Sequence, residues 1–430
     1  MVSVVARQGN RDASSFGARD LARLGSGEAL PEQISRGATG IRRRLSMQQT
    51  DRIMKADAAK TRARVILCVV LLAVLSYLSL SIMGAMGQNY GYSHAYAFYS
   101  PIEVAHVIGE HFYNWLGQAT HAWAPHSNEW IAENVNGYWA VWHRLGVIGI
   151  TLLCGILLSV SGMLYQNVFR NPLAGPGMLG ASSGVSLGIM VLVILFGASA
   201  GEMLAERYIY CYGFGAAILL LVIIAGKKLT GKGKPFDIIT MLLIGSIFGQ
   251  LAGFVQQYVI LFMFTNDETI QNVFIELTQM LNVDTSPLSW ICLGVAFAVS
   301  FIPIYLMRFR MNALAFEEEE VRLFGINFTR LRAIALICGA IMLLAAQIHT
   351  GMVGMVSMIV PFMSRSWFGT EFSKQLIGNV CIGTLLLLIC RDITDCIPFV
   401  GDGLGVGMIV QIVAMPIFVI IMAKHLRSWE

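Results

Sequence analysis

Residues 166–188 read QNVFRNPLAGPGMLGASSGVSLG. The stretch interrupts a chain made mostly of long apolar runs. Its Asn-Pro and Gly-Pro-Gly steps stop a helix, because proline has no amide hydrogen to give to the ladder and glycine is conformationally loose. The Ala, Ser and Gly residues that follow suit a new helix whose small side chains let neighbours approach closely. A lipid-facing wall has no use for such residues. The stretch is therefore expected to be a turn between two membrane helices. Arg170 marks the cytoplasmic end of the first, residues 171–177 form the turn, and residues 180–188 are the packed start of the second.

Composition agrees. Of 430 residues, 56% are hydrophobic and 13% charged, and the mean hydropathy is +0.65. Soluble domains carry about 25% charged residues. The fold class expected is an all-α polytopic membrane protein. Runs of the length a span needs, about 20 residues, fall near 65–86, 145–166, 178–200, 208–225, 237–264, 287–307, 333–349, 352–367, 376–393 and 404–423. That gives about ten transmembrane helices. Lys227, Lys228, Lys232 and Lys234 follow the fourth, and Arg308, Arg310, Arg322, Arg330 and Arg332 follow the sixth. Residues 87–143 and 265–286 contain neither Lys nor Arg. Basic loops stay in the cytoplasm, so the pattern places both termini there and makes 87–143 an extracytoplasmic insertion. Residues 1–64 hold 13 Lys/Arg against 6 Asp/Glu. Residues 1–45 read as a disordered basic cytoplasmic tail and 46–64 as a cytoplasmic lead-in helix. The first apolar run begins at Val65, too late for a signal peptide.

The spans carry essentially no Asp, Glu, Lys or Arg in their middles. Intramembrane ionisable residues mark ion and proton paths, so an ion-coupled secondary transporter is the weaker alternative. GKKLTGKG at 226–233 approaches a phosphate-binding loop, but Gly233 stands where the Mg²⁺-holding hydroxyl belongs. No nucleotide site is expected here, so the chain is expected to be no enzyme, with ATP and Mg²⁺ used by a partner subunit. No CxxC occurs among the eight cysteines, which read as small buried side chains. Seven of the eight histidines fall on the outer side at irregular spacing. That makes a polar interfacial loop the plainer reading and a haem or metal-chelate site the sharper one; no metal site is assigned. MNALAFEEEEVRLFGINFTRLR at 311–332 mixes charges with Leu314, Phe316, Val321 and Phe324. It is expected to be a short helix that docks in a partner's groove. In GMVGMVSMIVPFMSR at 351–365, Gly351, Gly354 and Ser357 lie three apart and favour close helix packing, and Pro361 should bend or end the span.

Several of these segments, in order, resemble one family. NPLAGPGMLGASSGVSLG is similar to the NPLAxPGLLGxSSGAxLG segment of the FecCD-type permeases, the membrane subunits of ABC importers for iron-siderophores, haem and cobalamin. YSPIEV (99–104) resembles that family's segment after span 1. ALAFEEEEVRLFG resembles its coupling loop ALGEExARxLG, GMVGMVSMIVPFMSR resembles GxIGFVGLIVPHxxR, and GVGMIVQIVAMPIF resembles PVGIVTALIGAPFF. The matches run from about 85 to 425. The resemblance implies a homodimer in a prokaryotic cell membrane, two cytoplasmic ABC ATPase subunits, and an extracytoplasmic binding protein that delivers an iron chelate. Membrane lipid surrounds it, and no nucleic acid is implied. Cobalamin or another corrinoid is the alternative cargo.

By the same resemblance, Leu314, Phe316, Glu318, Glu319, Arg322 and Gly325 form the coupling loop, 308–332, that meets the ATPase. Asn171, Pro172 and Leu173 sit near the cytoplasmic gate. Gly177, Gly180, Ser182, Ser183, Gly184, Gly351, Gly354 and Pro361 line helix contacts or the pathway, and Arg144 helps dock the binding protein. The chain departs from the pattern where the family's LRLPR reads HRLGV. Here Gly146 and Val147 replace a Pro and an Arg, and one arginine stands for several.

Overall fold

The computed structural model describes residues 32–83, 97–98, 100–120, 124, 126–127, 130, 138–172, 174–230, 238–263, 268–279, 283–316, 318–323, 325–351, 353–396 and 405–427. By contacts the chain divides into two units, Met1–Arg64 and Val65–Glu430. The described part is helical apart from one antiparallel pair of two-residue strands, β1 (Ile82–Met83) and β2 (Ala97–Phe98).

Helix α1 runs from Glu32 to Ser81. It begins directly after Pro31 and contains no proline. Residues 32–45 are therefore helical, where a structureless tail was expected; four Arg with Glu, Gln, Ala and Leu, all good helix formers, outweigh the two glycines there. Residues 1–31 of that expected tail lie outside the described residues. After the strands come α2 (Pro101–Thr120), α3 (Tyr138–Phe169), α4 (Ala181–Phe196), α5 (Leu204–Thr230), α6 (Ile238–Met263) and α7 (Glu268–Gln279). They are followed by α8 (Pro287–Leu306), α9 (Arg308–Met311), α10 (Glu318–Leu323), α11 (Phe328–Thr350), α12 (Gly354–Phe368), α13 (Phe372–Cys396) and α14 (Val406–Arg427).

Eight helices among the described residues are long and apolar enough to cross a membrane: α1 from Lys55, α3, α4, α5, α6, α8, α11 and α13. Two of the ten expected spans are shorter. Helix α12 has 15 residues with Pro361 inside, and the apolar part of α14 is Val406–Ile420.

Local chemistry sets the boundaries. Ser286 caps α8 by accepting from the Ser289 amide, with Pro287 at the first helical position. Asn327 caps α11 by accepting from Arg330 N at 3.0 Å.

Helix α3 is the hub, packed on α11, α12 and α13, while α4 packs on α5 and α6. Glycines make these contacts close. A methyl on Gly188 would lie 2.6 Å from Tyr210 O, and one on Gly339 would lie 2.7 Å from the Tyr165 ring. Pro361 neither ends α12 nor stands idle. It removes the amide that would have bonded Ser357 O, and that carbonyl presses on Gly162 of α3, where no side chain fits.

Candidate functional site

At one end of the hub, Arg170 closes α3 with φ +48, the sole positive φ of a non-glycine among the described residues. Its guanidinium reaches the loop that follows α9. Arg170 Nε donates to Leu314 O at 3.2 Å and Nη2 donates to Phe316 O. Asn312 Oδ1 accepts from Phe372 N at 2.9 Å, the first residue of α13. The loop 308–332 is thus tied to two core helices just before α10. Beside it, Arg365 Nη2 donates to Asn167 Oδ1 at 3.0 Å, and Asn167 Nδ2 donates to Gln375 Oε1 at 3.2 Å.

The apolar residues expected to dock a partner divide in two. Leu314 and Val321 are buried in this chain's own core, so they anchor the loop and leave no surface for a partner. The reason is helical phase, since both point back at the bundle. Phe316 remains exposed, and Leu323, which the sequence reading passed over, is 87% exposed. Gly325 ends the segment with φ +71. The backbone of Glu318, Glu319 and Arg322 lies in α10; their side chains, and Phe324 altogether, lie outside the described residues.

Asn171 and Pro172 form a half-buried turn after Arg170, with Ala174 N donating to Asn171 O at 3.0 Å. Leu173 lies outside the described residues. The chain then makes a 3-10 turn, Pro176–Leu179, closed by Gly180 at φ +78. A side chain is doubly disfavoured at Gly180: the conformation is left-handed, and a methyl would lie 3.0 Å from Ile218 and 3.3 Å from Gly245 O. Gly177 lies against the Ser182 hydroxyl, Gly184 against Phe214 O, and Ser183 beside Gly249. Ser182 Oγ accepts from Gln347 Nε2 at 2.6 Å. The structure therefore brings the Gly177–Ser182 segment against α11. Gly351 ends α11 at φ +71, its amide bonded to Gln347 O. Gly354 has nothing within 4 Å of where a side chain would start, so the close approach expected of it falls at Ser357 instead.

The opposite end of the hub holds Arg144. This arginine, expected to help dock a binding protein, is 4% exposed and is engaged within the chain. Its guanidinium donates to Asp395 Oδ2, to Asp392 Oδ1 at 2.9 Å and to Ser79 Oγ at 3.0 Å. Arg391 Nε pairs with Asp395 Oδ2 at 3.0 Å, and Ser79 donates to Asp392 Oδ1 at 2.6 Å. Two arginines and two aspartates on α3 and α13, joined by a serine of α1, form a charge-balanced cluster. Buried charges persist only when paired in this way. The sequence signal was the spacing about Asp395, which lies four residues after Arg391 and three after Asp392 and so shares a helix face with each.

A second network at this end is also new. Tyr208 donates to Ser289 Oγ at 3.1 Å, and Ser289 donates to Asp284 Oδ2 at 2.6 Å. The Tyr208 hydroxyl also lies 2.9 Å from His349 Nε2; with Tyr208 donating to Ser289, the imidazole is left to donate. The chain of bonds joins α5, α8 and α11. Burial raises the Asp284 pKa, but hydrogen bonds from Ser289 and Ser286 outweigh it and hold the carboxyl below its usual range.

In the segment before α3, His111 stacks on Tyr138 at 3.7 Å and on Trp142 at 4.4 Å. Burial pushes its pKa below the usual histidine value, against the upward pull of the Tyr138 carbonyl. His126 stacks on Trp130 at 3.8 Å. Among the described residues no three His, Cys, Asp or Glu side chains could hold a metal ion together.

This architecture, with a broken turn between α3 and α4, a clasped loop before α11 and a hub of glycine-packed helices, matches known proteins. The profile of the FecCD transport family covers residues 116–424. The chain belongs to this family. It is a multi-pass ABC transporter permease. The permease is 26% identical to the Helicobacter pylori "Probable iron chelatin transport system permease protein" over 64% of this chain and 79% of the relative. It is also 26% identical to the hemin transport system permease protein HmuU of Yersinia pestis, over 67% and 85%. To the vitamin B12 import system permease protein BtuC of Salmonella typhi it is 25% identical, over 70% and 89%. A solved structure described as "An inward-facing conformation of a putative metal-chelate type ABC transporter" superposes with a TM-score of 0.61 at 18% identity. It covers 85% of this chain and 99% of that one, and the likeness speaks for the fold.

Proposed function

We propose that this permease is the membrane subunit of an ATP-driven importer for an iron chelate, a siderophore or haem, in a prokaryotic cell membrane. It works as a homodimer with two cytoplasmic ABC ATPase subunits, which hold ATP and Mg²⁺, and takes its ligand from an extracytoplasmic binding protein. Both termini lie in the cytoplasm. Relatives named for iron chelatin and hemin support the cargo class.

The observation that carries the reading is the clasped loop. Its anchors, Leu314 and Val321, are buried, its exposed apolar pair, Phe316 and Leu323, faces outward, and Arg170 fastens its backbone to α3. A push from an ATPase on α10 passes through Arg170 to α3, the helix on which most of the core packs. A rigid-body rocking of the packed helices then opens the path to one side at a time. Asn171 and Pro172 lie directly beside that lever and, with Leu173, serve as the gate. No catalytic residue is needed in this chain.

A corrinoid is the second reading, supported by the relative named for vitamin B12 import. Purifying the chain with its native partners and identifying the co-purifying ligand by mass spectrometry separates the two. A corrinoid would replace the iron-chelate reading.

A further inference from the structure

The outer ends of α1, α2 and α3 enclose an open groove of about 340 Å³ lined by Leu80, Ile108, His111, Phe112, Trp115, Val141, Trp142 and Leu145. We infer that this groove holds one acyl chain of a membrane phospholipid, clamped between α2 and the end of α3.

The walls come from a regular pattern. Ile108, His111, Phe112 and Trp115 follow the i, i+3, i+4, i+7 spacing of one helix face. One turn back along α2, Val104 and Val107 are buried against Leu80 and Val141 and close the groove's floor. The far wall is Val141, Trp142 and Leu145 of α3, with Leu80 of α1. Helix α3 is the most buried span, with 78% of its apolar window inside the protein. Among the described side chains of α3, the large exposed apolar residues are Trp142 at 53% and Leu145 at 42%, and both line the groove.

The occupant follows from the chemistry and the place. The one polar wall residue, His111, is already held by two stacked rings and by Tyr138 O at 3.3 Å. Beyond it only the indole N–H groups of Trp115 and Trp142 are polar, so the groove offers little to orient a hydrophilic ligand or a peptide. Eight side chains are too few for a protein partner, which takes about 20–30 residues a side. The groove opens where two membrane spans end, the depth at which tryptophans gather at bilayer interfaces. An apolar-faced helix such as α2 rests at that boundary. A volume of about 340 Å³ takes roughly ten methylene-sized groups if each fills about the 30 Å³ share of a water molecule.

The test uses the full chain in phosphatidylethanolamine–phosphatidylglycerol vesicles doped with a phosphatidylcholine that carries a photoreactive diazirine in its acyl chain. Labelled peptides are then mapped by mass spectrometry. Wild type is expected to be labelled on the peptides holding Phe112, Trp115, Trp142 and Leu145. Ile108→Trp and Leu145→Trp, which fill the groove, should lower that labelling at least fivefold, while labelling of exposed Phe254 and Leu261 on α6 stays constant. Ile108→Ala leaves the groove open and should label like wild type, which separates occupancy from damage to the fold. Absence of groove labelling in wild type, or equal labelling in the filled variants, would overturn the inference.

Discussion

Removing the Arg144 guanidinium leaves Asp392 and Asp395 close together in a largely buried site, with Arg391 alone to balance them. Breaking a buried pair on one side costs about 3–5 kcal/mol. Arg144→Ala is therefore expected to lower the thermal midpoint sharply. A variant with unchanged thermal stability but weakened binding-protein affinity would restore the docking role and refute the structural one. At Asp284 the direction of the shift sets a pH dependence. Its folded pKa lies below the usual carboxylate value, so its stabilisation is complete above about pH 3.9. That stabilisation is lost as pH falls through the folded value. Asp284→Asn should flatten this acid limb of the stability profile; an unaltered limb would remove Asp284 from the network's support. Arg144 could be read from sequence as a lone outer cation. Its partners could not, because they lie 248 and 251 residues away and only packing brings them together.

Among the elements, the junction of α3 with α12 tests whether Pro361 and Gly162 act as a pair. Gly162→Ala forces a methyl onto Ser357 O and should cost about 1–3 kcal/mol by overpacking. Gly354→Ala meets open space and should be close to neutral in the same thermal unfolding measurement. Equal costs at the two sites would contradict the packing. The loop before α11 carries the coupling prediction. Arg170→Ala frees the loop from α3 and should lower ligand-stimulated ATPase activity about tenfold, within the usual 1–3 kcal/mol of coupling between sites, while the dimer stays assembled. Glu318→Arg and Glu319→Arg should uncouple transport likewise, and full stimulated activity in them would remove α10 from the contact. The helices were legible in sequence because apolar runs of span length and the breaks at Asn-Pro and Gly-Pro-Gly are local signals. Helical phase at Leu314 and Val321 was not, since a charged, mixed loop gives no periodicity to say which side faces the bundle. Arg170 was legible as a topological marker only; its grip on two backbone carbonyls depends on the fold.

For the molecule as a whole, the charged side chains described where α3 begins and α13 ends neutralise one another, so no free carboxylate is described there to carry a coupling ion. In the proposed mechanism the driving force comes from outside the chain, through the loop that Arg170 holds. The deciding measurement is uptake of radio-iron chelate into proteoliposomes that contain this permease, its ATPase subunits and its binding protein, with ATP and an imposed ion gradient supplied separately. Accumulation should require ATP and the binding protein, and the Arg170→Ala variant should abolish most of it. Accumulation driven by the ion gradient with the permease alone, and indifferent to ATP, would contradict this mechanism.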